Sequence, residues 1–167
     1  MSSADPRVGI VMGSKSDWPV VEAARKILDD FGVGSEVRIL SAHRTPAQAC
    51  EWASGARDRG IEVLIGAAGG AAHLPGVVAA HTTLPVIGVP IANGPLSGFD
   101  SLLAIVQMPK GIPVATVGVG RADNAALLAL QIMATADEAI RAKLADYKVE
   151  MARKVGDTDR ELQAELS

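Results

Sequence analysis

The chain of 167 residues has one cysteine, three histidines, and few aromatic residues, 3% of the total. A lone Cys50 cannot close an internal disulfide, which points to a reducing compartment. No apolar run is long enough to span a bilayer. The first six residues lack the charged-then-apolar layout of a signal peptide, so the expected location is the cytoplasm, away from any membrane. A net charge of −3 argues against broad nucleic-acid binding, but not against a small anion held by a local cation. The GxxxxGK[ST], G-x-S-x-G, HExxH and CxxC patterns are all missing. Three histidines and one cysteine without ligand spacing give no reason to expect a metal site.

Hydrophobic residues nonetheless make up 49% of the chain, so the core must be built from Ala, Val, Ile and Leu. Apolar runs alternate with helical patterns. Strands are expected at Val8–Met12, Val37–Leu40, Glu62–Gly66, Val86–Val89 and Val114–Val119. Helices are expected at Asp17–Asp30, Pro46–Arg59, Leu74–His81 and Gly98–Gln107. Two more follow: an almost wholly apolar one at Asn124–Ala134, suited to burial in the core or a subunit interface, and a charged amphipathic one at Ala136–Val155. This alternation predicts a flavodoxin-like α/β sandwich with a five-stranded parallel sheet in the order 2-1-3-4-5 and extra C-terminal helices. One catalytic domain is expected over residues 7–155, with 1–6 and 156–167 as flexible termini. Ligand should lie beyond the C-terminal ends of strands one and three, where the strand order reverses.

The loops at those ends carry the candidate chemistry. Gly13-Ser14-Lys15-Ser16-Asp17 offers a tight turn, hydroxyls and free N–H groups. Ser16 or Asp17 is expected to cap the following helix, and a capped helix start alone would explain the motif. In Ser41-Ala42-His43-Arg44-Thr45-Pro46, the residues Thr45, Pro46 and Gln48 read as a capping box. His43 and Arg44 are not needed for it. The first can carry a proton near neutral pH, and the second can fork onto a phosphate or carboxylate. The glycine-rich stretch from Gly66 to Gly76 would let a flat ligand lie against backbone, although close helix–sheet packing favours the same residues. His81 sits at a helix end, where it can complement the dipole. The loop Ile91–Asp100 is long enough to form a wall or lid. Gly118-Val119-Gly120 lacks the third glycine of a dinucleotide fingerprint and follows the last strand.

Taken in order, these motifs resemble one family. They are Gly13–Asp17, Ser41–Pro46 and Gly69-Gly70-Ala71-Ala72-His73-Leu74-Pro75-Gly76. Asp100–Leu103, Gln107-Met108-Pro109 with Gly111 and Pro113, and Asn124–Leu128 follow them. Over about Val8 to Ala134 the chain is similar to the small catalytic subunit of phosphoribosylaminoimidazole carboxylase, in its bacterial, mutase-type form. The resemblance implies a substrate, N5-carboxyaminoimidazole ribonucleotide, and a step in purine biosynthesis that moves its carboxylate from N5 to ring carbon C4. It implies no metal, cofactor or ATP. It makes His43 the general acid and base. It assigns Arg44, Ser14, Ser16 and Ser41 to phosphate and Asp17 to ribose. Ala42, Gly69, Gly70, Ala71, His73 and Leu74 would line the pocket. It also implies a homo-octamer, and a pathway partner that makes the carbamate with ATP. Gly120–Asp123 is shorter than in some members, which bears on local contacts. Direct carboxylation of aminoimidazole ribonucleotide is the nearest alternative. A noncatalytic nucleotide-binding module and a flavin carrier are more distant ones.

Overall fold

The structure, a computed structural model, describes residues 5–166. Among these residues five strands form one parallel sheet in the order β2-β1-β3-β4-β5. They are β1 (Pro6–Met12), β2 (Gly34–Ile39), β3 (Val63–Gly69), β4 (Val86–Ile91) and β5 (Ala115–Thr116). The helices are α1 (Trp18–Phe31), α2 (Pro46–Ser54), α3 (Leu74–Ala80), α4 (Phe99–Val106), α5 (Ala122–Met133) and α6 (Glu138–Glu165). The expected flavodoxin-like layout is therefore what the chain adopts.

Alternate residues of the central strands point to opposite faces, as the pleat requires. Val8, Ile10, Val63, Ile65, Ile87 and Val89 pack with α1, α5 and the first turns of α6. Val11, Leu64 and Val86 pack with α2, α3 and α4 on the other face. The sheet is thus covered twice, which is why its strands read as near-continuous apolar runs.

Glycines set how closely that second layer approaches. Gly66 and Gly88 are register partners on β3 and β4. A methyl group on Gly66 would stand 3.2 Å from Pro75 Cα, and one on Gly88 would overlap Ile105. The N-terminus of α3 therefore rests directly on the sheet.

Several boundaries differ from the sequence reading. The second helix ends at Ser54, because Gly55 closes it, and a separate 3-10 turn spans Arg57–Arg59. The fifth strand keeps only two ladder residues. Pro90 accepts from Gly120 N–H at 2.9 Å, so it faces that edge, but it has no N–H to return. The last helix continues past Val155 to Glu165, with Arg153 and Arg160 both paired to Asp157 along its surface. Pro6 already lies in β1; residues 1–4 and 167 of the expected termini fall outside the described residues. The apolar helix α5 is buried on this chain's own core through Ala125, Ala126, Ala129 and Leu130. Among the described residues, no helix is long and apolar enough to cross a membrane.

Candidate active site

Four loops leave the C-terminal ends of β1 to β4 and enclose a cleft of about 320 Å³. It lies where the strand order reverses, the expected position for a ligand in this architecture.

After β1 the chain makes a 3-10 turn, Lys15–Asp17, before α1. Ser14 caps this turn, while Asp17, one of the two expected caps, occupies the N-cap position of α1. Ser14 Oγ accepts from Ser16 N–H at 3.2 Å, and Asp17 Oδ2 reaches back to accept from Ser14 N–H at 3.1 Å. Asp17 makes no cap bond to α1. The residue is only 5% exposed, and burial pushes its carboxyl pKa above the usual carboxylate value. Hydrogen bonds from Ser14 N–H, the Ser16 hydroxyl and Gly13 N–H oppose that rise without cancelling it.

After β2, Ser41 organises the turn. Its Oγ accepts from His43 N–H at 3.3 Å and Arg44 N–H at 3.1 Å. The expected capping box at Thr45 is not formed. Thr45 Oγ1 instead accepts from Ser41 N–H at 2.8 Å and donates to Ser41 O at 3.2 Å. The hydroxyl that was to cap α2 closes the preceding turn, and Pro46 alone supplies a helix-compatible start. Arg44 Nη2 donates to Gly13 O at 2.8 Å, tying the second loop to the first.

After β3 the backbone twists through left-handed values at Gly70 (φ 61°) and Ala72 (φ 48°). Such a conformation costs a non-glycine residue about 1–2 kcal/mol. It delivers His73 to the start of α3, directly above the glycine-lined sheet. There His43 Nε2 and His73 Nδ1 lie 2.7 Å apart, with the rings edge-to-face at 85°. The other ring nitrogen of His43 has no hydrogen-bond partner among the described residues.

The cleft wall thus gathers Ser14, Ser16 and Asp17 from the first loop, and Ser41, Ala42, His43 and Arg44 from the second. The third loop adds Gly69, His73 and Leu74. Gly70 and Ala71 shape the turn but do not line the wall. Asn93, two residues beyond β4, also lines it, within the loop expected to form a wall or lid; neither it nor Gly13, Ala68 and Ala72 was singled out as a site residue from the sequence. The signal was available: Asn93 follows the C-terminal end of a central strand. Among the described residues, no group of three or more His, Cys, Asp or Glu side chains could hold a metal ion.

Fold and cleft define a flavodoxin-like α/β protein whose cleft brings together an imidazole pair, a guanidinium and a hydroxyl-rich turn. The chain belongs to the AIR carboxylase family, whose pattern matches residues 7–154. It is 56% identical to the N5-carboxyaminoimidazole ribonucleotide mutase of Pyrococcus horikoshii, over 98% of this chain and 92% of that one. It is 54% identical to the enzyme of the same name from Mycobacterium tuberculosis, over 95% and 91%. The crystal structure of Treponema denticola PurE superposes with a TM-score of 0.85 at 31% identity, covering 94% of this chain and 98% of that one.

Proposed function

We propose that the protein is an isomerase that moves the carboxylate of N5-carboxyaminoimidazole ribonucleotide from N5 to C4, the activity named for its relatives. The observation that carries this reading is the placement of His43 in one cleft with Arg44 and the Ser14–Asp17 turn.

His43 is the proton carrier. As an imidazolium it gives a proton to N5 while the N5–carboxyl bond breaks, and the bonding pair stays on nitrogen. Carbon dioxide and aminoimidazole ribonucleotide remain in the cleft. C4 then attacks carbon dioxide, and neutral His43 takes the C4 proton as the ring regains aromaticity. No net proton is gained or lost, so one imidazole serves both halves. Retaining carbon dioxide beside C4 makes its recapture effectively intramolecular. Arg44, Ser14, Ser16 and Ser41 hold the phosphate, and Asp17 accepts from ribose hydroxyls. Gly69 gives the flat ring a close backbone floor, and Gly70 and Ala71 shape the turn that holds it there.

The substrate is a carbamate, so the supplying reaction is an ATP-dependent carboxylation of the aminoimidazole, and the shared compartment is the cytoplasm. Assembly as a homo-octamer belongs to the same reading. Its support is a face of α4 where Phe99, Leu103 and Val106, with Leu96 before the helix, stand exposed. A second stripe on α6, Met151, Val155 and Leu162, is equally uncovered. Light scattering should give eight times the chain mass of 17.2 kDa; a monomer would remove this part.

The family's own description, AIR carboxylase, favours a second reading, direct carboxylation of aminoimidazole ribonucleotide. Rapid conversion of the carbamate without added bicarbonate supports the mutase. Turnover only of aminoimidazole ribonucleotide with carbon dioxide would replace it.

A further inference from the structure

We propose that Asn93 is a substrate-binding residue whose carboxamide donates to the migrating carboxylate, an inference that rests on the mutase reading above. Three observations converge on it.

Asn93 lines the cleft from the β4 side, yet its side chain makes no hydrogen bond among the described residues. Two N–H donors and a carbonyl acceptor are therefore free for a ligand. The amide is not loosely placed. It lies against Gly69, where a methyl group would overlap its Cγ, Oδ1 and Nδ2. The absent side chain at Gly69 makes the seat on which the carboxamide rests.

Position decides which part of the ligand it meets. Arg44 and Ser14 follow β2 and β1, whereas Asn93 follows β4, beyond β3. Three strand spacings separate the β2 and β4 axes, about 14 Å. With phosphate at the β2–β1 end, the ribonucleotide's ring substituents point toward β4. The His43–His73 pair, brought together from the loops after β2 and β3, reaches across the middle of the cleft, where the reacting ring would lie.

The chemistry suits a neutral donor. A lysine or arginine there would hold the ground-state carboxylate strongly and oppose its conversion to neutral carbon dioxide. A carboxamide orients the carboxylate without adding a charge that the decarboxylated state would leave unpaired. It also does not compete with His43 for the proton, since an amide does not titrate in this range.

The test is ligand affinity by calorimetry, with the C4-carboxylated product and with aminoimidazole ribonucleotide, which lacks the carboxylate. Asn93→Asp keeps the size but sets a carboxylate against a carboxylate. It should weaken the carboxylated ligand by about 10- to 100-fold, the range for a hydrogen bond to a charged group. Aminoimidazole ribonucleotide should change by less than about threefold. Asn93→Ala should weaken the carboxylated ligand alone, by a smaller factor. Equal losses for both ligands, or no loss in Asn93→Asp, would overturn the assignment. If the unaltered protein binds both nucleotides but moves no carboxylate, the mutase reading falls instead, and an Asn93 effect confined to the carboxylated ligand would still stand as recognition.

Discussion

His43 Nε2 and His73 Nδ1 face one another at 2.7 Å, although thirty residues separate them in the chain. At that distance one nitrogen must donate and the other accept, because two N–H groups or two lone pairs would repel. The contact fixes the tautomer of whichever ring lends the proton and excludes a doubly protonated pair in this geometry. If His43 carries the proton, His73 is the residue that positions it, beyond the pocket-lining part that the sequence motif implied.

The role of His73 separates by substitution. Asn places an amide atom near the Nδ1 position and can keep the contact, whereas Leu cannot. Turnover should fall by about tenfold in His73→Leu, the scale of one lost hydrogen bond, and recover in large part in His73→Asn. Steady-state kinetics on both variants check this. Identical losses would mean that only bulk matters at this position.

Among the described residues Arg44 is the one guanidinium on the cleft wall, and Gly13 O already holds one of its nitrogens at 2.8 Å. If it clamps phosphate, Arg44→Ala should weaken ribonucleotide binding by about 10- to 100-fold. The loss should be much smaller for the matching nucleoside. Competitive binding of the two ligands distinguishes a phosphate clamp from a brace between loops.

The buried carboxyl of Asp17 carries a stability cost when ionised. Its folded carboxyl holds a proton more tightly than it would in the unfolded chain, because burial outweighs its hydrogen bonds. Its contribution to stability is therefore full below the ordinary aspartate value of about 4 and is lost as pH rises through the folded value. Asp17→Asn cannot ionise and avoids that loss. Its melting temperature should exceed that of the unaltered protein at pH 7, and the difference should close toward pH 4. Nucleotide affinity should fall in the same variant. A lower melting temperature at pH 7 would contradict the cost assigned to the buried charge.

Gly66→Ala tests how the sheet positions the site. The added methyl would crowd Pro75 Cα at 3.2 Å in the first turn of α3, two residues from His73. Overpacking of this kind costs about 1–3 kcal/mol, readable as a shift in the urea midpoint. Turnover should drop beyond what lost folding explains, because α3 must move outward.

Much of this was legible in the sequence, for physical reasons that differ by element. Two-sided burial made β1, β3 and β4 readable as apolar runs. The alternation with helices then gave the strand order and, with it, the place of the cleft. Side-chain hydrogen bonding was less legible. Ser14, Ser16, Asp17 and Thr45 all have suitable oxygens, and only the folded loops decide that Ser14 caps while Thr45 turns back to Ser41. The short β5 follows from Pro90 on the neighbouring strand, a cross-strand effect that no local window contains. The meeting of His43 with His73 needs loops from β2 and β3 to converge over β1, and the seat of Asn93 needs a glycine on another strand.

The central claim is that His43 moves the proton in both halves of the carboxylate migration. Its most direct measurement is His43→Asn, with nucleotide affinity and single-turnover conversion of the carbamate followed on the same preparation. The account predicts affinity within a few-fold of the unaltered protein and conversion slower by at least about 100-fold, the lower range for lost acid–base catalysis. Conversion at a near-normal rate in that variant would contradict it.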